Sequence, residues 1–437
     1  MQIIQGNAIV GQSGGPTAAI NATLAGVIRE MLAGPAQAAA GSRGESILFG
    51  MRNGVDGLLR GELVNLTALF TGPDGSPDEE QLRLLEHTPA AALGSCRRKL
   101  PSADDPAGEE TYHALFSLLD AHHIHTFFYI GGNDSMDTVA KLSAQSERFG
   151  YPLQVIGIPK TIDNDLEGTD HTPGFGSAAK FVATVMQEIL LDCAVYTVPA
   201  VTVVEVMGRD AGWLTASSAI GRIVHGLAPD LVYLPETDFS MEEFLEDVSA
   251  ALRTHPNVVV AVSEGIHFSD GTRVCESENT AGRDAFGHAA LSGTGKVLER
   301  AVRARLGCKV RSVELNITQR CAAHILSGND IAESVRVGRA AVRAAGEGLT
   351  GQMMTLTRVS DHPYTVSVSH RPVASIANRV RYVERAFINE RGNNVTDDCL
   401  RYLLPLIGGE DAPVYQDGLP CVFRLDGPEP FSPHADR

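Results

Sequence analysis

The stretch that decides the reading of this chain is Gly157-Ile-Pro-Lys-Thr-Ile-Asp-Asn-Asp165. It overlaps the apolar run Leu153-Gln-Val-Ile-Gly-Ile158, whose shortness and hydrophobicity predict a buried strand. Pro159 ends that strand, because it has no N–H for a ladder and fixes its own φ. The loop beyond carries one cation, one hydroxyl and two carboxylates: Lys160, Thr161, Asp163 and Asp165. In an open α/β sheet this strand end is where ligands sit. A lysine there can hold a phosphoryl group while a carboxylate takes the proton of an attacking hydroxyl. Alone, Asp-Asn-Asp reads better as a turn bonding its own backbone. The phosphate-type stretches around it shift the balance to chemistry.

Two such stretches lie upstream. Asn7-Ala-Ile-Val-Gly-Gln-Ser-Gly-Gly-Pro16 predicts strand, glycine turn and then a helix from about Thr17 to Met31. Gly14 and Gly15 let backbone N–H groups approach an anion, although neither GxGxxG nor GxxxxGK[ST] is matched. Thr126-Phe-Phe-Tyr-Ile130 runs into Gly131-Gly-Asn-Asp-Ser135 and a helix to Phe149, a second phosphate or metal-phosphate edge. Between them, Gly94-Ser-Cys-Arg-Arg-Lys99 gathers three cations behind a glycine.

Downstream, a helix is predicted over 177–191, and Val201–Val206 is a buried strand emitting Met207-Gly-Arg209. Leu231–Leu234 reaches Pro235-Glu236, and Val258–Val262 reaches Ser263-Glu264. Strands alternating with helices argue βαβ units and parallel sheets. Gly293-Thr-Gly-Lys296 imitates a P-loop but lacks its first glycine and its Ser or Thr, so it is rejected as an ATP site. Arg311 and Arg320 flank an apolar run, and paired guanidinium forks suit a phosphate monoester. Beyond about residue 395 the chain reads as an appended segment.

At 437 residues the chain exceeds one core, so two or three α/β domains are expected. With 36 Lys and Arg against 53 Asp and Glu the net charge is −17, which excludes nucleic acid and anionic membrane as partners. Phosphate substrates would therefore need locally clustered cations. Seven cysteines, an odd number without CxxC spacing, suit reduced thiols in a cytoplasm rather than disulfides or zinc. No apolar run approaches the ~18 residues of a membrane helix, and no charged leader precedes the first strand. The expectation is a cytoplasmic protein.

Taken together, Ser13-Gly-Gly15, Gly131-Gly132, Pro159-x-Thr-Ile-Asp-Asn-Asp165 and Val204-Glu-Val-Met-Gly-Arg209 resemble the phosphofructokinase family. Asp284-x-Phe-Gly-His288 and Gln319-Arg320 look like its pyrophosphate-dependent branch. The resemblance implies two Rossmann-like three-layer α/β domains facing a cleft. The donor domain would take 1–174 and roughly 320–350, the fructose 6-phosphate domain 175–318 and roughly 351–395, with 396–437 a C-terminal extension.

The implied reaction is reversible phosphoryl transfer from diphosphate to the 1-hydroxyl of fructose 6-phosphate, with Mg2+ as cofactor, in a homodimer or homotetramer. Asp163 would be the base, with Lys160, Asp134 and Thr161 completing the catalytic set. Gly15 would hold diphosphate, Arg97 would bridge the transferred group, and Ile162 and Asp165 would line the substrate site. Met207, Gly208, Arg209 and Glu236 would hold the sugar, and Arg311 and Arg320 its 6-phosphate, one of them from a neighbouring subunit. Asp134 and Lys160 stand where ATP-dependent members have glycine: the carboxylate repels an α-phosphate, and the lysine supplies charge to a bare diphosphate leaving group.

Three positions depart from the family pattern. Asn133 replaces the magnesium-linked aspartate, leaving Asp134 or a water to carry more of the metal's charge. Ala200 replaces an arginine of the ATP enzymes, and Ile317 a histidine or tyrosine. The rival readings are an ATP-dependent kinase, a sedoheptulose 7-phosphate kinase, and a non-catalytic regulatory subunit. The last need not keep the Lys160–Asp163 pair.

Overall fold

The computed structural model describes residues 4, 6–33, 46–102, 106–276 and 293–425. The Ala-rich 36–40 tract, the Asp284–His288 pattern and the tail after 425 lie outside them.

Twelve strands matter here: β1 (Asn7–Gln12), β2 (Leu48–Met51), β3 (Leu63–Asn65), β4 (Ile124–Gly131), β5 (Gln154–Pro159), β6 (Ala200–Val206), β7 (Leu231–Tyr233), β8 (Asn257–Ser263), β9 (Lys309–Glu314), β10 (Leu326–Ser327), β11 (Gln352–Asp361) and β12 (Tyr364–Pro372). The first sheet has the order β12-β11-β5-β4-β1-β2-β3, parallel from β2 through β11 and closed at each edge by an antiparallel strand. Side chains alternate across it, as a pleat requires. Phe128 and Ile130 of β4 join the core beneath the helices Ile20–Ala33 and Gly328–Gly346. Phe127 and Tyr129 pack on the other face with Met136, Val139 and Leu142 of the helix Asn133–Arg148. The helices of the first face touch backbone to backbone. A Cβ on Gly26 would lie 2.3 Å from the Val335 carbonyl oxygen, and one on Gly338 2.2 Å from that of Thr23.

The second sheet, β7-β8-β6-β9, is wholly parallel. The helix Phe175–Ala194 leads into it from the first sheet. The two-domain α/β architecture is therefore present, but two boundaries differ from expectation. Residues 352–372, expected with the second domain, extend the first sheet, since Gln352 and Met353 of β11 pair with Ile156 and Gly157 of β5. The segment after 395 is not an appendage. Cys399, Leu400 and Leu403 are fully buried in a core with Trp213 and Phe175. Farther on, Cys421 and Phe423 enter the first domain's core, where Phe423 stacks on Phe70 and its N–H donates to Thr88 Oγ1 at 2.7 Å.

Register positions the cleft. Gln12 pairs with Ile130, and Gly131 with Pro159, so β1, β4 and β5 end level and their following loops share one edge. In the second sheet Val206 pairs with Ser263, which sets Met207 beside Glu264.

Candidate active site

The loop after β5 is fastened from its first residue. The Lys160 N–H donates to the Gly131 carbonyl at 3.0 Å. Its side chain runs inward, 2% exposed, and Nζ donates to the Gly15 carbonyl at 2.5 Å. Burial pushes the Lys160 pKa down to about 8, against the pull of Asp163 and Asp165, while Arg320 and Arg97 add to the depression. These three cations therefore share one field around the first glycine turn. That turn is shaped by Gly14, at φ +77°, where a Cβ would meet Lys160 Nζ at 3.4 Å. Gly14 donates to the Cys96 carbonyl at 3.1 Å, and Ser95 Oγ donates to the Gly14 carbonyl at 2.6 Å. The basic stretch is thereby wrapped onto the turn, forming a cleft of about 620 Å3 lined by Gly14, Gly15, Arg60, Arg97, Arg98 and Arg320.

The two carboxylates stand under opposed influences. Burial raises the Asp163 pKa and Lys160 lowers it, with Asp210 raising it further. Asp165 is pushed up to about 7 by burial and by the charge of Asp163. Thr161 Oγ1 accepts from the Asp163 N–H at 3.1 Å. Between the carboxylates Asn164 is left-handed, at φ +54°. The Ile162 side chain is 7% exposed and belongs to the apolar cluster with Phe175 and Trp213.

Asn133 and Asp134 open the helix Asn133–Arg148, at its positive end. Asn133 Oδ1 is buried and has no hydrogen-bond partner. Asp134 is exposed and 3.1 Å from Lys99 Nζ. An orphaned carbonyl oxygen beside a carboxylate is the hard donor set that suits a divalent cation such as magnesium.

Across the cleft, Met207, Gly208 and Arg209 follow β6. The Met207 N–H donates to Gln319 Oε1 at 3.1 Å, and the Gly208 N–H to Glu264 Oε1 at 3.4 Å. Burial raises the pKa of both Asp163 and Glu264, and Arg209 tempers the rise at each. Burial pushes Glu264 up to about 7. Glu236, expected with the sugar group, is elsewhere. Its Oε1 accepts from the Gly212 and Val383 N–H groups, both at 2.8 Å, and ties the second domain to the C-terminal segment. Glu264 is the carboxylate brought to Gly208 and Asp163. Its only sequence signal was its place after the apolar Val258–Val262.

The arginine pair is separated. Arg320 ends the turn Asn316–Arg320, and its Nη1 lies 3.4 Å from where a Gly15 Cβ would be. Arg311, on β9, stands 3.8 Å from Asp192, near the exposed Leu191, Val195 and Tyr196. The rejected Gly293–Lys296 turn is already filled, its Gly293 and Gly295 N–H groups donating to the Glu205 carboxylate at 3.3 and 2.7 Å.

Known proteins share this fold. A pyrophosphate–fructose 6-phosphate 1-phosphotransferase of Halomonas elongata is 40% identical over 427 residues, 96% of each chain. The crystal structure of a pyrophosphate-dependent phosphofructokinase from Nitrosospira multiformis matches with a TM-score of 0.83 at 36% identity, over 98% of this chain and 99% of that one. One from Marinobacter aquaeolei matches at 0.81 and 36%, over 95% of each. The phosphofructokinase family model covers residues 7–345, from β1 to the end of the helix that closes the first core, and the chain belongs to that family.

Proposed function

We propose that the chain transfers a phosphoryl group reversibly between diphosphate and the 1-hydroxyl of fructose 6-phosphate. The observation that carries this reading is the buried Lys160 ammonium, lodged against the Gly15 carbonyl and flanked by Asp163 and Asp165. A cation at that point serves a short, highly charged donor and fills space that a nucleotide's further phosphate would need.

In the forward direction the sugar 1-oxygen attacks the terminal phosphorus. The bond from that phosphorus to the bridging oxygen breaks, and its electron pair leaves with inorganic phosphate. The hydroxyl proton passes to Asp163. Lys160, Arg97 and the Gly15 N–H offset charge on the leaving group, and Arg320 lies where the two substrates meet. Arg209, Glu264 and the Met207–Gly208 backbone hold the sugar. Magnesium would be held by Asn133 and Asp134, where it neutralises phosphate charge. Arg311, away from this cleft, would serve the site of a second copy in a homo-oligomer. Seven free thiols among the described residues support a cytoplasmic setting.

The test is turnover of fructose 6-phosphate with magnesium and either diphosphate or ATP. Diphosphate alone should support the reaction, and comparable rates with both donors would overturn the reading.

A further inference from the structure

The segment after β12 is distant in sequence from the catalytic loop, yet it touches that loop at three points. The Tyr402 hydroxyl accepts from Asn164 Nδ2 at 3.3 Å and donates to the Asp170 carbonyl at 2.7 Å. The Arg381 backbone N–H donates to the Asp165 carbonyl at 2.9 Å. Arg381 Nη1 donates to the Asp170 carbonyl at 2.6 Å, and both terminal nitrogens lie 3.3 Å from the Tyr402 hydroxyl.

Both residues are held rigidly themselves. The Arg381 guanidinium lies 4.4 Å from the Trp213 ring centre, and Trp213 Nε1 donates to the Arg381 carbonyl at 3.0 Å. Tyr402 stacks on Phe387 at 5.8 Å, and the Arg358 guanidinium lies 4.5 Å from its ring centre. Asn164 is fully buried, and its Oδ1 accepts from the Thr172 N–H at 3.0 Å. An amide side chain bonded at both ends pins the left-handed residue that separates the two carboxylates.

We propose that Tyr402, supported by Arg381, is a positioning residue for phosphoryl transfer: it fixes Asn164, and through it the direction in which Asp163 and Asp165 face the cleft. The inference rests on Asp163 being the base. Small displacements of a reacting group are costly, since about 1 Å can lose ~100-fold in rate.

The experiment compares five variants with wild type, using whichever donor the wild type turns over, so that a wrong donor assignment leaves the comparison intact. Tyr402→Phe keeps the ring and its stacking. It should lower kcat about tenfold while both KM values stay within twofold, because Lys160, Arg97 and Arg209 are untouched. Asn164→Ala, which also frees the Thr172 N–H, should lower kcat at least as much, and the double variant should be no slower than Asn164→Ala, since the Asn164–Tyr402 bond that carries the effect is already cut in either single variant. Phe387→Leu loosens the same aromatic cluster without reaching Asn164 and should keep kcat within twofold, whatever its Tm. Losses of kcat that add in the double variant, or equal losses for Tyr402→Phe and Phe387→Leu, would overturn the proposal. If Tyr402→Phe cannot be purified folded, Asn164→Ala alone decides, and a kcat within twofold of wild type overturns it. Full activity in Asp163→Asn would instead remove the base assignment.

Discussion

A lysine buried among two carboxylates and two arginines carries a conditional charge, and the reaction inherits that condition. Lys160 must be protonated to hold diphosphate, so kcat/KM for diphosphate should fall as pH rises through about 8. Asp163 must be ionised to accept a proton, and its pKa is raised, so the rate should also fall toward acid, giving a bell. Lys160→Met should abolish the alkaline limb and raise KM for diphosphate roughly 10- to 150-fold, the worth of a lost charge-assisted bond at ~1.5–3 kcal/mol. An unchanged alkaline limb in that variant would assign it to another group. Asp163→Asn keeps the shape but cannot take the proton, so kcat should drop by about 10²–10⁴ with substrate affinity retained. Asp165→Asn should cost less, and steady-state kinetics on the two variants together decide which carboxylate is the base.

The catalytic loop is an element held from behind. His171 sits buried between Asp170 and Glu333, at 2.7 and 2.6 Å, and Glu333 belongs to the helix Gly328–Gly346. Burial opposes its charge, but the hydrogen bonds to both carboxylates outweigh burial and lift the pKa to about 9 from 6.5. The stability it contributes is complete below the unfolded value and is lost as pH rises from 6.5 through about 9. Melting curves across that range should show a fall in Tm that His171→Gln flattens; parallel curves for the two proteins would contradict it. The strands, glycine turns and loop chemistry of this element were legible because each is written in adjacent residues. Two things were not. β11 finds β5 from far along the chain, and no local pattern encodes that pairing. Glu236 and Glu264 both follow apolar strands, so sequence alone could not rank them. Strand order does: β7 lies at the sheet edge, whereas β8 adjoins β6, which places Glu264 and not Glu236 beside Gly208.

For the whole molecule, a net charge of −17 coexists with a cationic cleft because Lys160, Arg97, Arg98 and Arg320, from three separate segments of the chain, converge on the Gly14–Gly15 turn. Elsewhere, Leu191, Val195, Tyr196 and Val198 at the end of the helix Phe175–Ala194 leave an exposed apolar patch, the surface on which the proposed second copy would dock. Leu191→Asp combined with Val195→Asp should shift the mass measured by light scattering toward the monomer. If Arg311 serves a neighbour, KM for fructose 6-phosphate should rise with it. The plugging of the first core by Cys421 and Phe423 bears on biosynthesis. A ribosome adding about 5–20 residues per second needs on the order of tens of seconds to reach those residues. Until then the nascent first domain has no ring upon Phe70, and through most of that time it also lacks β11 along β5, so part of its apolar interior is open while the rest is translated. The half made earliest is thus the half completed last.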